Sequence, residues 1–194
     1  MILKEIIKKK ILESIKVKEL VVEKNIQDII KASIICIKAL KKGGKLIFCG
    51  NGGSASDAQH LATEMLVRLN PRINRNPISA ISLNLDTVAM SAHCNDYQYE
   101  TYLSRMLEAL GNKNDILIAI STSGNSKNIL NVLKKSQKMN ISSVCFLGNE
   151  GGMAKKLCNN NIIVESKVTA RIQEAHICIG HILMDLIEAK IKIK

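Results

Sequence analysis

Lys45-Leu46-Ile47-Phe48-Cys49-Gly50-Asn51-Gly52-Gly53-Ser54-Ala55-Ser56 decides the fold. A short apolar run breaks into glycine and serine and then opens into a helical pattern. Asp115-Ile116-Leu117-Ile118-Ala119-Ile120 does the same, running into Ser121-Thr122-Ser123-Gly124-Asn125-Ser126. A strand ending in such a loop before a helix makes an anion cradle. Glycine lets backbone N–H groups approach, hydroxyls add donors, and the helix N-terminus supplies partial positive charge. Neither loop holds the Lys-Ser/Thr pair of a nucleotide P-loop, so a small sugar phosphate suits them better than a nucleotide.

Outward from these loops the chain alternates. Helical spacing covers 2–23 and 25–40, the second helix stopping at Gly43-Gly44. Strands are expected at 45–49, 78–83, 115–121, 142–147 and 161–165. Helices are expected at 54–69, after Asp86, at 98–110, 126–138, 152–158 and 170–190. Repeated strand-helix units predict an α/β fold, a doubly wound five-stranded parallel sheet in flavodoxin-like order. Ligands of such sheets bind beyond the carboxyl ends of the strands, where both loops fall. At 194 residues without linker or repeat, the chain reads as one domain: N-terminal helices over 1–43, suited to oligomerisation, and an α/β core over 44–194.

Composition narrows the function classes. The net charge is +11, mostly lysine in the first 45 residues and in Lys190-Ile191-Lys192-Ile193-Lys194. No aromatics interleave with these lysines, so a nucleic-acid partner is not expected. The six cysteines, at 36, 49, 94, 145, 158 and 178, show no paired spacing and read as reduced thiols of a cytoplasmic protein. No signal peptide or membrane span is expected.

Several polar residues need a reason. His60 and Glu64, four apart, share a helix face behind the first loop. Gln173, Ile177 and His181 form an i, i+4, i+8 stripe on the last helix, with His181 among apolar neighbours. That placement suits either a core histidine bonded to a carbonyl or a desolvated imidazole facing a site. His176 falls off the stripe and reads as structural or interfacial. His60, Glu64, Gln173 and His181 together offer a ligand set suited to zinc, although spacing alone leaves surface-pair and core readings open.

The motifs in order resemble the phosphoheptose isomerase family of sugar-isomerase (SIS) fold proteins. The resemblance rests on Cys49-Gly50-Asn51-Gly52-Gly53-Ser54, Asp57-Ala58-Gln59-His60 with Glu64, Asn95-Asp96, Ser121 to Ser126, and Arg171-Ile172-Gln173-Glu174-Ala175-His176 with His181. It implies aldose–ketose isomerisation of sedoheptulose 7-phosphate for lipopolysaccharide or capsule heptose, in a zinc-containing cytoplasmic homotetramer. By motif match Glu64 is the general base and His181 the acid. His60, Glu64, Gln173 and His181 take the metal positions. Asn51, Gly52, Gly53, Ser54, Glu64, Asn95, Asp96, Ser121, Thr122, Ser123, Ser126 and Gln173 take substrate positions.

The chain departs from the family at Val67-Arg68-Leu69, where Gly-Arg-aromatic is usual; Arg68 is kept and is expected to face the substrate phosphate. The second loop is the expected phosphate seat, and the first lines the sugar. His181 is expected to complete a site whose loops belong to a neighbouring subunit. The alternative is a non-catalytic SIS-fold regulator of the kind that binds a replication initiator. Those proteins share both loops but do not use the positions of Glu64 and His181 as an acid–base pair.

Overall fold

The computed structural model describes residues 2–191; Met1 and 192–194, including Lys192 and Lys194 of the basic tail, lie outside the described residues. Two helices open the chain, α1 (Ile2–Lys24) and α2 (Ile26–Lys41). Then follow β1 (Leu46–Cys49), α3 (Gly53–Leu66), β2 (Ala80–Ser82), α4 (Thr87–Asp96) and α5 (Tyr102–Leu110). The chain closes with β3 (Ile116–Ser121), α6 (Lys127–Lys138), β4 (Ser142–Gly148), β5 (Asn160–Val164) and α7 (Thr169–Lys190). The sheet is five-stranded in the order β2-β1-β3-β4-β5, and every pairing is parallel.

Strand alternation builds two cores. Leu46, Phe48, Ile116, Ile118, Ile120, Val144 and Phe146 face one side, under α2, α3 and α7. Ile47, Cys49, Leu117, Ala119, Cys145 and Leu147 face the other, under α5 and α6. This period of two, buried on both faces, is what an all-parallel sheet requires. The amino ends of β1 and β3 are pinned by buried Asp115. Its carboxylate accepts from the Lys45 backbone N–H (2.9 Å) and Nζ (2.6 Å), and from the Asn112 backbone N–H (2.7 Å).

Boundaries differ from expectation where backbone groups find other partners. β2 is three residues long instead of 78–83, and the Ile78 N–H donates to the Met65 carbonyl at the end of α3 (3.0 Å) instead of to the sheet. α3 stops at Leu66 instead of 69. The expected helix at 152–158 is a single 3₁₀ turn, Ala154–Lys156, and 98–110 begins with a 3₁₀ turn at Tyr99–Thr101.

α1 buries only Val17 and Val21, leaving Ile6, Ile7, Ile11, Leu12 and Ile15 exposed. Ile26, Ile30 and Ile34 of α2 are exposed as well. Among the described residues no helix is long and apolar enough to cross a membrane. The six cysteines are free, and burial pushes the Cys36 and Cys49 thiols up to about 12.

Candidate active site

Both loops emerge side by side because β1 and β3 are neighbours in the sheet. In the first, Gly50 is held by a reciprocal pair: its N–H donates to Asn84 Oδ1 and Asn84 Nδ2 donates to its carbonyl, both at 3.1 Å. Gly52 takes φ 53 and ψ −123, a conformation open in practice only to glycine, and hands the chain to α3. Ser54 is buried in the first turn of that helix.

In the second loop, Ser121 Oγ accepts from the Gly124 N–H (3.1 Å) and Ser123 Oγ from the Asn125 N–H (3.2 Å). Gly124, at φ 63, passes so close to the loop after β4 that a Cβ there would stand 2.1 Å from the Gly151 carbonyl oxygen. Thr122 is half-buried, and Ser126 opens α6 with no capping bond from its hydroxyl.

An amide pair joins the loops. Asn51 Nδ2 donates to Asn128 Oδ1 (2.9 Å), and Asn128 Nδ2 donates to Asn51 Oδ1 (2.6 Å). Tyr99 Oη donates to the same Asn51 oxygen (2.8 Å). Most of the Asn51 side chain is therefore engaged within the protein as a strut. Asn84, Asn128 and Tyr99 were missed in the sequence, since a contact across 34 to 77 residues leaves no local pattern.

α3 and α7 run side by side on one sheet face, and their contacts form a ladder. Gln173 lies against Gly53, where a Cβ would meet its Nε2 at 2.6 Å, and Gly180 lies against Leu61. Beyond these, His60 Nε2 stands 2.7 Å from His181 Nε2 and 3.3 Å from Glu64 Oε1. One donor atom each from His60, Glu64 and His181 falls within 4.8 Å of the others, a possible metal site. A tetrahedral ion would hold two imidazole nitrogens about 3.3 Å apart, so loading needs a shift of roughly half an ångström. The exposed ring of His60 makes that shift sterically easy.

Asp57, one turn before His60, has a buried carboxylate oxygen without a partner among the described residues. Burial raises its pKa, opposed by the charges of His60 and His181. Its i−3 spacing from His60 was the available signal.

Two placements correct the expectations, and a third narrows one. His181 is half-exposed, not desolvated, because its face of α7 opens to solvent beside exposed Ile182. Gln173 does not join the His60–Glu64–His181 cluster within one chain. Eight residues of helix separate it from His181 by about 12 Å, and its amide is at Gly53. Glu64 and His181 belong to the same chain's cluster, so His181 is not separated from Glu64 by a subunit boundary.

One other sequence-predicted residue stays apart. Arg68 is exposed beyond the end of α3, more than about 20 Å along the helix from the first loop. Asn95 and Asp96 end α4, exposed, with Asn95 Nδ2 donating to Asp96 Oδ1 (2.9 Å). His176 is structural, as its position off the stripe suggested: it is buried, its Nε2–H donates to the Leu147 carbonyl (3.0 Å), and burial lowers its pKa to about 4. A groove of about 1000 Å³ runs beside Ser123, Asn125, Asn149 and Lys155 without reaching the cluster.

Comparison with known proteins follows the same lines. Residues 11–148 match the SIS domain family. The chain is 47% identical over 184 residues to the phosphoheptose isomerase of a Nitratiruptor species, covering 95% of this chain and 97% of that one. It is 41% identical over 194 residues to the phosphoheptose isomerase of Clostridium acetobutylicum, covering 97% and 96%. Among solved structures, the phosphoheptose isomerase of Francisella tularensis superposes with a TM-score of 0.93 at 32% identity, covering 98% of this chain and 100% of that one. That of Neisseria gonorrhoeae gives 0.90 at 33%, covering 96% and 99%. The chain belongs to the phosphoheptose isomerase family of SIS-domain proteins.

Proposed function

We propose that this protein interconverts sedoheptulose 7-phosphate and D-glycero-D-manno-heptose 7-phosphate, supplying activated heptose for lipopolysaccharide or capsule. The observation that carries the reading is the convergence of Glu64 with His60 and His181, on helices whose other ends hold the cradle. Isomerisation moves a proton between C1 and C2 through an enediolate, so it needs a base at carbon, an acid at oxygen and stabilisation of the oxyanion. Glu64 takes the carbon-bound proton, and His181 carries the proton on oxygen. The second loop and the start of α6 seat the phosphate, and the first loop with Gln173 lines the sugar. Binding energy at the phosphate then holds C1 and C2 in place.

His60, Glu64 and His181 fit a zinc ion by donor type and convergence, with Gln173 as a fourth ligand from another chain. Such an ion, when bound, polarises the substrate carbonyl as a Lewis acid. If held by such an ion, Glu64 or His181 would carry its proton only while not bound tightly to it.

The active unit in this reading is a homotetramer with shared sites. Residues 1–43 serve assembly and 44–194 form the catalytic core of one domain. Supporting this are the exposed apolar stripe of α1, the distance between Gln173 and His181, and the remoteness of Arg68 from the cradle. A cytoplasmic location fits the free thiols.

The regulator reading is not favoured, because relatives named phosphoheptose isomerase match nearly end to end. Incubation with sedoheptulose 7-phosphate, followed by NMR with and without chelator, tests the proposal. It expects aldose formation that chelator suppresses. Tight ligand binding with no product would return the protein to the regulator class.

A further inference from the structure

Arg75 lies in the irregular segment between α3 and β2, yet its side chain is only 5% exposed. Nε donates to Glu188 Oε1 at 2.5 Å. One terminal nitrogen donates to the carbonyls of Met65 (2.9 Å) and Asn76 (3.0 Å), and the other donates to the carbonyl of Glu64 (2.8 Å). Glu188 belongs to α7, two turns beyond His181, and its side chain is 1% exposed. Its second oxygen faces the Asn70 N–H at 3.4 Å. One guanidinium thus gathers carbonyls that have no partner within α3 in its last turn, including that of Glu64 itself. It ties them to the helix that carries His181. The planar fork of arginine can do this; a lysine ammonium cannot match the same set of acceptors.

Stability alone explains this arrangement poorly. Removing two charges from water is costly, and well-packed apolar residues in place of a buried pair are often neutral or stabilising. Geometry explains it better. Glu64 sits in the final turn of α3, where helices fray, and the chain leaves at Val67 with φ −104 and ψ −84.

We propose that Arg75 and Glu188 are a positioning pair for the isomerisation, holding Glu64 at a fixed height against His181. The inference rests on the reading of Glu64 as the base. The cradle lies at the opposite end of α3, so loss of the pair acts on turnover and spares phosphate binding. A misplacement of about 1 Å in a reacting group can cost 10²-fold.

The test compares Arg75→Lys, the apolar double variant Arg75→Met/Glu188→Leu, and Glu64→Gln, each for melting temperature, kcat and KM on sedoheptulose 7-phosphate. Both pair variants are expected to lose roughly tenfold to a hundredfold in kcat, with KM within about twofold. The double variant is expected to melt lower, because the Glu64 carbonyl and the Asn70 N–H lose their partners. A structural role alone would lower its melting temperature yet leave kcat, measured well below that temperature, at the wild-type value. Wild-type kcat in the folded double variant, beside an inactive Glu64→Gln, overturns the positioning role and leaves the base reading intact. Near-normal turnover of Glu64→Gln removes the base reading, and this inference with it. If the double variant does not fold, Arg75→Lys decides: a kcat loss at unchanged melting temperature and KM supports the pair, and unchanged kcat overturns it.

Discussion

His60 and His181 meet Nε2 to Nε2 at 2.7 Å, from helices 121 residues apart in sequence. At that distance one ring must donate and the other accept, or both must be deprotonated toward a shared ion. Glu64, 3.3 Å from the His60 nitrogen, brings a carboxylate oxygen to the same point, the third donor a shared ion needs. His60→Ala should therefore lose metal while the fold persists, because His60 is largely exposed. Elemental analysis should find close to one zinc per chain in the wild type and far less in the variant. Cobalt substitution should give visible absorption only in the wild type. Equal metal content in both would remove His60 from the site.

Gly53→Ala probes the Gln173 contact. The new Cβ would stand 2.6 Å from Gln173 Nε2, which can move because it ends a flexible side chain. Gly53 is the first residue of α3, where alanine is tolerated, so the melting temperature should hold or rise slightly. KM for the sugar phosphate should rise several-fold as the amide is displaced. Unchanged KM would show that Gln173 does not line the sugar.

Stability against acid should report His176. Its folded pKa of about 4 lies below the ordinary value of 6.5, so between those values the unfolded chain binds the proton and the folded chain does not. Stability is then lost as pH falls from about 6.5 to about 4, by a few kcal/mol for this group alone. His176→Gln, which keeps a donor for the Leu147 carbonyl, should flatten melting temperature against pH in that window. An equally steep profile in the variant would assign the acid sensitivity elsewhere.

Much of this was legible in the sequence. The parallel sheet and both loops follow from apolar runs ending in glycine and serine, and the His60–Glu64 pair from its i, i+4 spacing. Gln173 and His181 looked equivalent because a helix viewed down its axis hides the roughly 12 Å between them. His181 looked buried because its sequence neighbours are apolar, yet its own face is open. Asn84, Asn128, Arg75 and Glu188 act through long-range pairing, which no local pattern announces.

Shared sites can be tested by mixing inactive chains. Glu64→Gln disables the cluster and Gln173→Ala the cradle side, and these two residues do not meet within one chain. Co-expressed chains should recover activity above the sum of the separate variants if each site draws on two subunits. No recovery in demonstrably mixed assemblies would return the whole site to one chain.

Glu64 as the base is tested most directly by turnover of sedoheptulose 7-phosphate by metal-loaded Glu64→Gln beside the wild type, followed by NMR at matched melting temperature. The account predicts aldose formation by the wild type and a loss of roughly 10²–10⁴-fold in the variant, the contribution of a positioned base. Near-wild-type turnover by Glu64→Gln would contradict it.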